Sequence, residues 1–264
     1  MIPKTIHYCW FGGNPLPELA IKCIESWKRY CPDYEILEWN ETNFDVNYNG
    51  YVKEAYKAEK WAFVSDVARL YALVNHGGIY MDTDVEVLKP LDNFLHLEAF
   101  SGFEADDRIP TGIMACRKNH PFFSDLLDDY ADEKFILPNG SYNLTTNVVR
   151  ITERCVRAGL ILDNTAQTVN GFTLFPKDFF CAKDLQTGAL NVTNNTYTIH
   201  HFSGSWLPPE IKESVKLRKV FSRFLPRKFA WYVAQFFGET KVKGLRHSMG
   251  SLICWLKKRL NGDR

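Results

Sequence analysis

The stretch 75-NHGGIYMDTDVEVLKPL-91 decides the fold. A Gly-Gly pair closes what precedes it, a short apolar run follows, and two acids, Asp82 and Asp84, stand at the end of that run before more strand-forming residues. Read as extended chain, residues i and i+2 point to one side, so the two carboxylates are expected to aim at one place. Like charges on one face repel, which a chain tolerates in water or beside a cation. Along a strand their spacing is roughly 6 to 7 Å, whereas a hard divalent ion wants oxygens at about 2.1 Å. One acid is therefore expected to bind a metal directly and the other through water or a hydroxyl. A lone D-x-D is a weak signal, more often a solvated turn than a metal site, so its surroundings have to separate the two readings.

Working outward, "KWAFVSDVARLYALVNHGG" has apolar residues at helical spacing and stops at Gly77. It carries Asp66 and Arg69 three residues apart, on one helical face, where an ordinary intrahelical ion pair also fits. Upstream, "TIHYCWF" reads as a strand ending at Gly12-Gly13, "ELAIKCIESWKRYCPDY" as a helix closed by Pro32, and "YEILEW" as a second strand. A strand, helix, strand opening with a glycine-containing first turn is the start expected of a nucleotide-binding α/β sheet. Downstream, "AFSGF" and "GIMACR" read as strands, 120 to 132 and 144 to 158 as helices, and "TYTIHHFSGSW" as a late strand punctuated by Pro208-Pro209. That last strand offers His200, His201, Ser205 and Trp206; neighbouring strand residues point oppositely, so one histidine alone should face any site.

With 264 residues the chain is long enough for a full core without covalent staples. Its net charge of +1 conceals an asymmetry: residues 210–264 hold 14 Lys+Arg against 4 Asp+Glu, leaving 18 against 27 for residues 1–209. The body is acidic and the tail basic. Seven cysteines without a C-x-x-C pair argue against a disulfide framework or zinc site and for reduced thiols in a cytosolic compartment. No signal-peptide pattern opens the sequence, and no window approaches the roughly 18 to 20 apolar residues that would span a membrane.

The run "FVSDVARLYALVNHGGIYMDTDVEVLKPLD" resembles the core signature of glycosyltransferase family 32, the DxD sugar transferases that include capsular-polysaccharide transferases and the yeast initiating mannosyltransferase. The opening "IPKTIHYCWFGG" and the closing "IHHFSGSW" match the same family's ends, and the opening is also similar to that of the clostridial glucosylating toxins. The resemblance covers about residues 2 to 207. It implies a GT-A fold, a nucleotide-sugar donor, a divalent cation (Mn²⁺ or Mg²⁺) and retention of anomeric configuration. By position, Trp10 resembles the aromatic that stacks on the nucleobase, which favours a UDP-sugar. Asp66 and Arg69 resemble the pair that binds donor-sugar hydroxyls, and Tyr80 and Asp82 lie where ribose and sugar are held. Asp84 falls on the principal metal carboxylate, His201 on the late metal ligand, and Ser205 and Trp206 on the groups near the leaving phosphate. Chemically this is coherent: charge developing on a leaving diphosphate is stabilised by a divalent ion and an indole N–H. Imidazole ligation favours Mn²⁺ over the harder Mg²⁺.

Some assignments stay open at this stage. Glu104, Asp106 and Asp107 in "GFEADDRIPTG" are candidates for a carboxylate nucleophile, against front-face attack that needs none, or a merely charged loop. "NLTTNVVRIT" departs from the Gly-Pro turn of relatives, which bears on the sugar pocket. The tail mixes Lys/Arg with Phe, Trp and Leu, a composition of helices that lie on an anionic membrane surface, although a basic face packed on the acidic body has the same composition. The expectation is a glycosyltransferase domain over 1–209 and a basic aromatic helical tail over 210–264, peripheral on the cytosolic membrane face. A saccharide acceptor, lipid-linked, would suit surface-polysaccharide assembly, and nothing in the body supports nucleic-acid binding. The competing functional readings are an inactive nucleotide-sugar-binding homologue with a regulatory role, and a metal-dependent phosphohydrolase.

Overall fold

The computed structural model describes residues 1–249 apart from Asp106, Ser205, Trp206, Pro208 and Arg246, with the backbone alone at Arg227 and Lys228. It divides into two compact units. The first comprises Met1–Lys183 and Asn191–Phe202, the second Asp184–Leu190 and the residues from Ser203 onward.

The first unit is an α/β structure built on β1 (Thr5–Cys9), α1 (Glu18–Tyr30), β2 (Glu35–Trp39), α2 (Gly50–Lys57), α3 (Trp61–His76), β3 (Gly78–Met81), β4 (Val85–Val87), β5 (Ala99–Gly102), β6 (Ile113–Cys116), α4 (Pro121–Asp128), α5 (Asn147–Arg157), β7 (Gln167–Val169), β8 (Phe172–Phe175), α6 (Lys177–Phe180) and β9 (Thr198–His200). Seven strands form one sheet in the order β2-β1-β3-β6-β5-β8-β7. The β2-β1-β3 side is parallel, as is β5 with β8, while β3–β6, β5–β6 and β7–β8 are antiparallel. This is a mixed α/β sheet flanked by helices, the class expected from the sequence.

Alternation along the strands divides the core. Ile6, Tyr8, Ile79 and Met81 join one apolar layer with Trp27 of α1, whereas Cys9 and Tyr80 join the other with the buried face of α3. The helix α3 is buried on most of its circumference and ends where Gly77 takes φ 68°. At Gly78 a Cβ would lie 2.6 Å from the Thr5 carbonyl oxygen, so β1 and β3 approach that closely only because this residue is glycine. The parallel strands β1, β2 and β3 end along one edge of the sheet. Because β1 lies between β2 and β3, that edge contains the crossover point where open α/β sheets place their ligands.

Two expectations of local structure are corrected. Asp82 to Asp84 are not extended strand: β3 stops at Met81, and the Val85 N–H donates to the Asp82 carbonyl at 3.0 Å, closing a tight turn. The strand that follows leaves the main sheet and pairs with β9 in a two-stranded antiparallel ladder, with Val85 opposite His200. The late strand is accordingly short, Thr198–His200.

The second unit contains α7 (Pro209–Phe221) and α8 (Arg227–Lys243). No helix among the described residues is long and apolar enough to cross a membrane. The six described cysteines are buried free thiols.

Candidate active site

The site is assembled where α3, the end of β3 and the β4–β9 ladder meet. From α3, the Arg69 guanidinium reaches the Asp82 carboxylate at 3.2 Å and the Asp66 carboxylate at 3.6 Å. It also donates to the carbonyls of Ser65 (3.1 Å) and Thr111 (3.2 Å). Its flat face lies over the Tyr80 ring at 4.6 Å, and the Tyr80 hydroxyl donates to Asp82 Oδ1 at 2.9 Å. One buried cation thus orders two acids and a phenol, using the planar fork that only arginine provides. Burial opposes the Arg69 charge, but Asp82, Tyr80 and Asp66 around it hold the guanidinium protonated. Burial pushes the Asp66 carboxyl up to about 6, partly offset by the Arg69 charge and a hydrogen bond from Asn147.

Asp66 has a second set of partners that the sequence reading did not find. The Asn147 backbone N–H donates to Asp66 Oδ2 at 3.2 Å, and its side-chain amide donates to the Asp66 main-chain carbonyl at 2.7 Å. Asn147 is the first residue of α5, so the Asp66 carboxylate sits at a helix N-terminus, where a negative charge is favoured. The Tyr130 hydroxyl donates to Asn147 Oδ1 at 2.7 Å, and Arg150, paired with Glu133 at 2.6 Å, lies over the Tyr130 ring. The signal was present in "NLTTNVVRIT", where a polar residue opens an amphipathic helix; it reads as an ordinary cap until the helix is seen to dock on α3.

One carboxylate oxygen each of Asp82 and Asp84 and a ring nitrogen of His200 lie within 4.8 Å of one another. His200 Nε2 is 3.2 Å from Asp84 Oδ1. The expectation put His201 beside Asp84; the structure instead turns the His201 ring to Glu86, at 2.8 Å, while its backbone N–H donates to the Asp84 carbonyl. The reason is the turn. Along the ladder, Glu86 and His201 share a face by alternation, but Asp84 lies in the turn before β4 and its carboxylate swings to the His200 side. The His200 ring is seated over Gly112, where a Cβ would fall 2.6 Å from Nδ1, and packs on Phe202 with centroids 4.1 Å apart. Burial disfavours its charged form, yet the Asp84 charge and hydrogen bond, with the Cys181 thiol, outweigh that and raise its pKa well above the ordinary value.

Trp10 follows β1 at the same sheet edge, its indole N–H donating to the Asn14 carbonyl at 2.6 Å. In the 104–107 loop, the Glu104 carboxyl is raised chiefly by burial and feels His200, Arg108 and Asp82, whereas Asp107 is exposed and paired with Arg108 at 3.6 Å. Asp106, Ser205 and Trp206 lie outside the described residues.

The three donor groups fit a divalent cation. Metal–ligand bonds of about 2.1 to 2.2 Å separate neighbouring donor atoms by roughly 3 to 4.3 Å, a range that the Asp84–His200 separation already meets. Two carboxylate oxygens and an imidazole nitrogen thus stand beside a cation-ordered acid pair, a donor set that suits a divalent cation.

Residues 17–101, which contain Asp66, Arg69, Asp82 and Asp84, match the family described as "Glycosyltransferase sugar-binding region containing DXD motif". Among curated proteins, the chain is 32% identical over 129 residues to inositol phosphoceramide mannosyltransferase 3 of Schizosaccharomyces pombe, covering 46% of this chain and 35% of that one. It is 24% identical over 186 residues to subversion of eukaryotic traffic protein A of Legionella pneumophila, covering 58% and 28%. The chain therefore spans about a third of the length of these curated relatives. Among solved structures, PaToxG glycosyltransferase aligns with a TM-score of 0.46 at 19% identity, over 59% of this chain and 69% of that one.

Proposed function

We propose that the protein is a retaining, metal-dependent glycosyltransferase that moves a sugar from a UDP-sugar to a saccharide acceptor. The observation that carries this reading is the convergence of Asp82, Asp84 and His200 at the end of β3, one side chain away from the buried Asp66–Arg69 pair. Asp84 and His200 would hold the cation, Mn²⁺ in preference to Mg²⁺, with Asp82 assisting directly or through a hydroxyl, and the ion would supply neutralisation of the charge on the diphosphate. Trp10 stacks on the base. Asp66 accepts from donor-sugar hydroxyls and Arg69 keeps both acids aimed. In the reaction the bond from the anomeric carbon to the β-phosphate oxygen breaks, the nucleoside diphosphate leaves with the electron pair, and the acceptor oxygen bonds to that carbon and passes its proton to an oxygen of the departing diphosphate. Ser205 and Trp206 are assigned to the leaving phosphate by sequence position alone. Retention follows from front-face attack or from a carboxylate nucleophile, and Glu104, half-buried and within the electrostatic reach of His200 and Asp82, is the candidate among the described acids of its loop.

The acceptor is assigned as a lipid-linked saccharide at the cytosolic face of a membrane, in surface-polysaccharide assembly, with residues 1–209 as the catalytic domain and the basic 210–264 tail lying on the anionic leaflet. The name of the fission-yeast relative, a transferase to inositol phosphoceramide, supports a lipid-borne acceptor. The test is hydrolysis of a panel of UDP- and GDP-sugars with Mn²⁺, Mg²⁺ or chelator. Mn²⁺-dependent cleavage of a UDP-sugar is expected; cleavage of a GDP-sugar alone overturns the UDP assignment, and turnover unaffected by chelator overturns the metal.

A further inference from the structure

The second unit separates its charges along its length. The helices α7 and α8 are joined by a five-residue turn, 222–226, and pack closely at Gly238, where a Cβ would lie 2.1 Å from Ser214 Oγ. Ala230 and Ala234 are buried on the same i, i+4, i+8 stripe of α8. The described acids of α7 and α8 lie at the end away from the turn: Glu213 pairs with Lys241 at 2.6 Å and Lys216 at 2.9 Å, and Glu210 with Lys243 at 2.7 Å. Between Ser214 and Gly238 the chain has six Lys/Arg, no Asp or Glu, and seven aromatic residues. Those aromatics are not consumed by packing near the turn. Phe224 is 80% exposed, Phe229 63%, Trp231 47% and Tyr232 44%, and Arg223 is exposed beside them.

We propose that the turn end of this hairpin, with Phe224 and Phe229 foremost, is the element that inserts into an anionic bilayer surface. The inference rests on the reading that the basic tail meets a membrane and identifies which part of it does so. Phenyl and indole rings gain from leaving water at the headgroup boundary, and cations with long apolar stems stay at that depth beside anionic phosphates. The absence of acids from Ser214 to Gly238 removes the repulsion that would keep such a surface off the leaflet, while the paired acids fall at the opposite end. A membrane so engaged would hold the enzyme at the two-dimensional surface on which a lipid-linked acceptor diffuses.

The experiment is co-sedimentation of the full chain with phosphatidylcholine vesicles and with phosphatidylserine-containing vesicles, comparing wild type, Asp84→Ala, Phe224→Ser and Phe224→Asp/Phe229→Asp. These two phenylalanines are exposed, so their replacement leaves the hairpin packing intact. Expected is a preference for the anionic vesicles of at least about tenfold, weakened by salt. Asp84→Ala should retain it, Phe224→Ser should reduce it several-fold, and the double variant should lose it with donor hydrolysis unchanged. Anionic-vesicle binding that is indifferent to both phenylalanine variants overturns the role of the turn end while leaving the tail's membrane contact standing. No vesicle binding by the wild type overturns both, as does concealment of the aromatic end in a dimer that ignores vesicles.

Discussion

Asn147 binds Asp66 twice, through its backbone N–H to the carboxylate (3.2 Å) and its side-chain amide to the main-chain carbonyl (2.7 Å), so α5 is pinned to α3 at the residue assigned to the donor sugar. Asn147→Ala leaves the Asp66 carbonyl and the Tyr130 hydroxyl without these buried partners. It should cost about 2 to 3 kcal/mol in urea unfolding. It should also weaken UDP-sugar binding about three- to tenfold while leaving UDP binding unchanged, because the displaced group faces the sugar. Equal weakening of both ligands would remove Asn147 from the sugar pocket.

Arg69 serves five partners at once, and a lysine ammonium cannot span them. Arg69→Lys should lower donor turnover by about 100-fold or more. Arg69→Met, which leaves buried Asp66 uncompensated, should cost about 3 to 5 kcal/mol of stability. A wild-type turnover rate in Arg69→Lys would refute the claim that guanidinium geometry matters.

The two adjacent histidines should separate cleanly. His200→Ala is expected to weaken Mn²⁺ binding by more than about tenfold, since it removes one of three donors, whereas His201→Ala, whose ring faces Glu86, should change it less than about threefold. Calorimetric Mn²⁺ titration of both variants decides it, and the reverse pattern would restore His201 as the ligand.

Stability should depend on pH through His7 as well as through the site. Its ring donates from Nε2 to the Gly77 carbonyl and accepts at Nδ1 from the Trp39 indole, which defines a neutral tautomer; burial lowers its pKa from 6.5 to about 4. The unfolded chain takes a proton that the folded chain refuses, so this contribution is complete above about pH 6.5 and lost toward pH 4, about 3 kcal/mol in all. Asp66, raised from 3.8 to about 6, acts in the opposite sense and gains a similar amount as pH falls through that range. The two offset in the wild type. His7→Gln should therefore lose less stability than the wild type between pH 7.5 and 4.5, by about 2 to 3 kcal/mol in urea melts; parallel losses would mean His7 is not held neutral.

The sheet half built by β1, α1, β2, α3 and β3 was legible because each element carries its own period and a Gly or Pro stop. The α2 helix is only eight residues long, too short for its period to stand out. The β7–β8 hairpin left a clear trace that the reading passed over: Asn170-Gly171 take φ of 49° and 77°, the N-G turn between strand-forming residues. The site was legible as a set of residue types. Which of two histidines faces the acids was not, because that depends on Asp84 belonging to a turn rather than a strand, a difference set by pairing with β9, more than 100 residues away. Asn147 escaped for a similar reason: its partner Asp66 is 81 residues away in sequence.

The central claim is that Asp82, Asp84 and His200 hold a cation for a nucleoside diphosphate. The most direct measurement is calorimetric titration of UDP into wild type and Asp84→Ala, with Mn²⁺ and with chelator. Binding that requires Mn²⁺ and falls by at least about tenfold in Asp84→Ala is predicted. Equal binding in chelator, or in the Asp84→Ala variant, would contradict it.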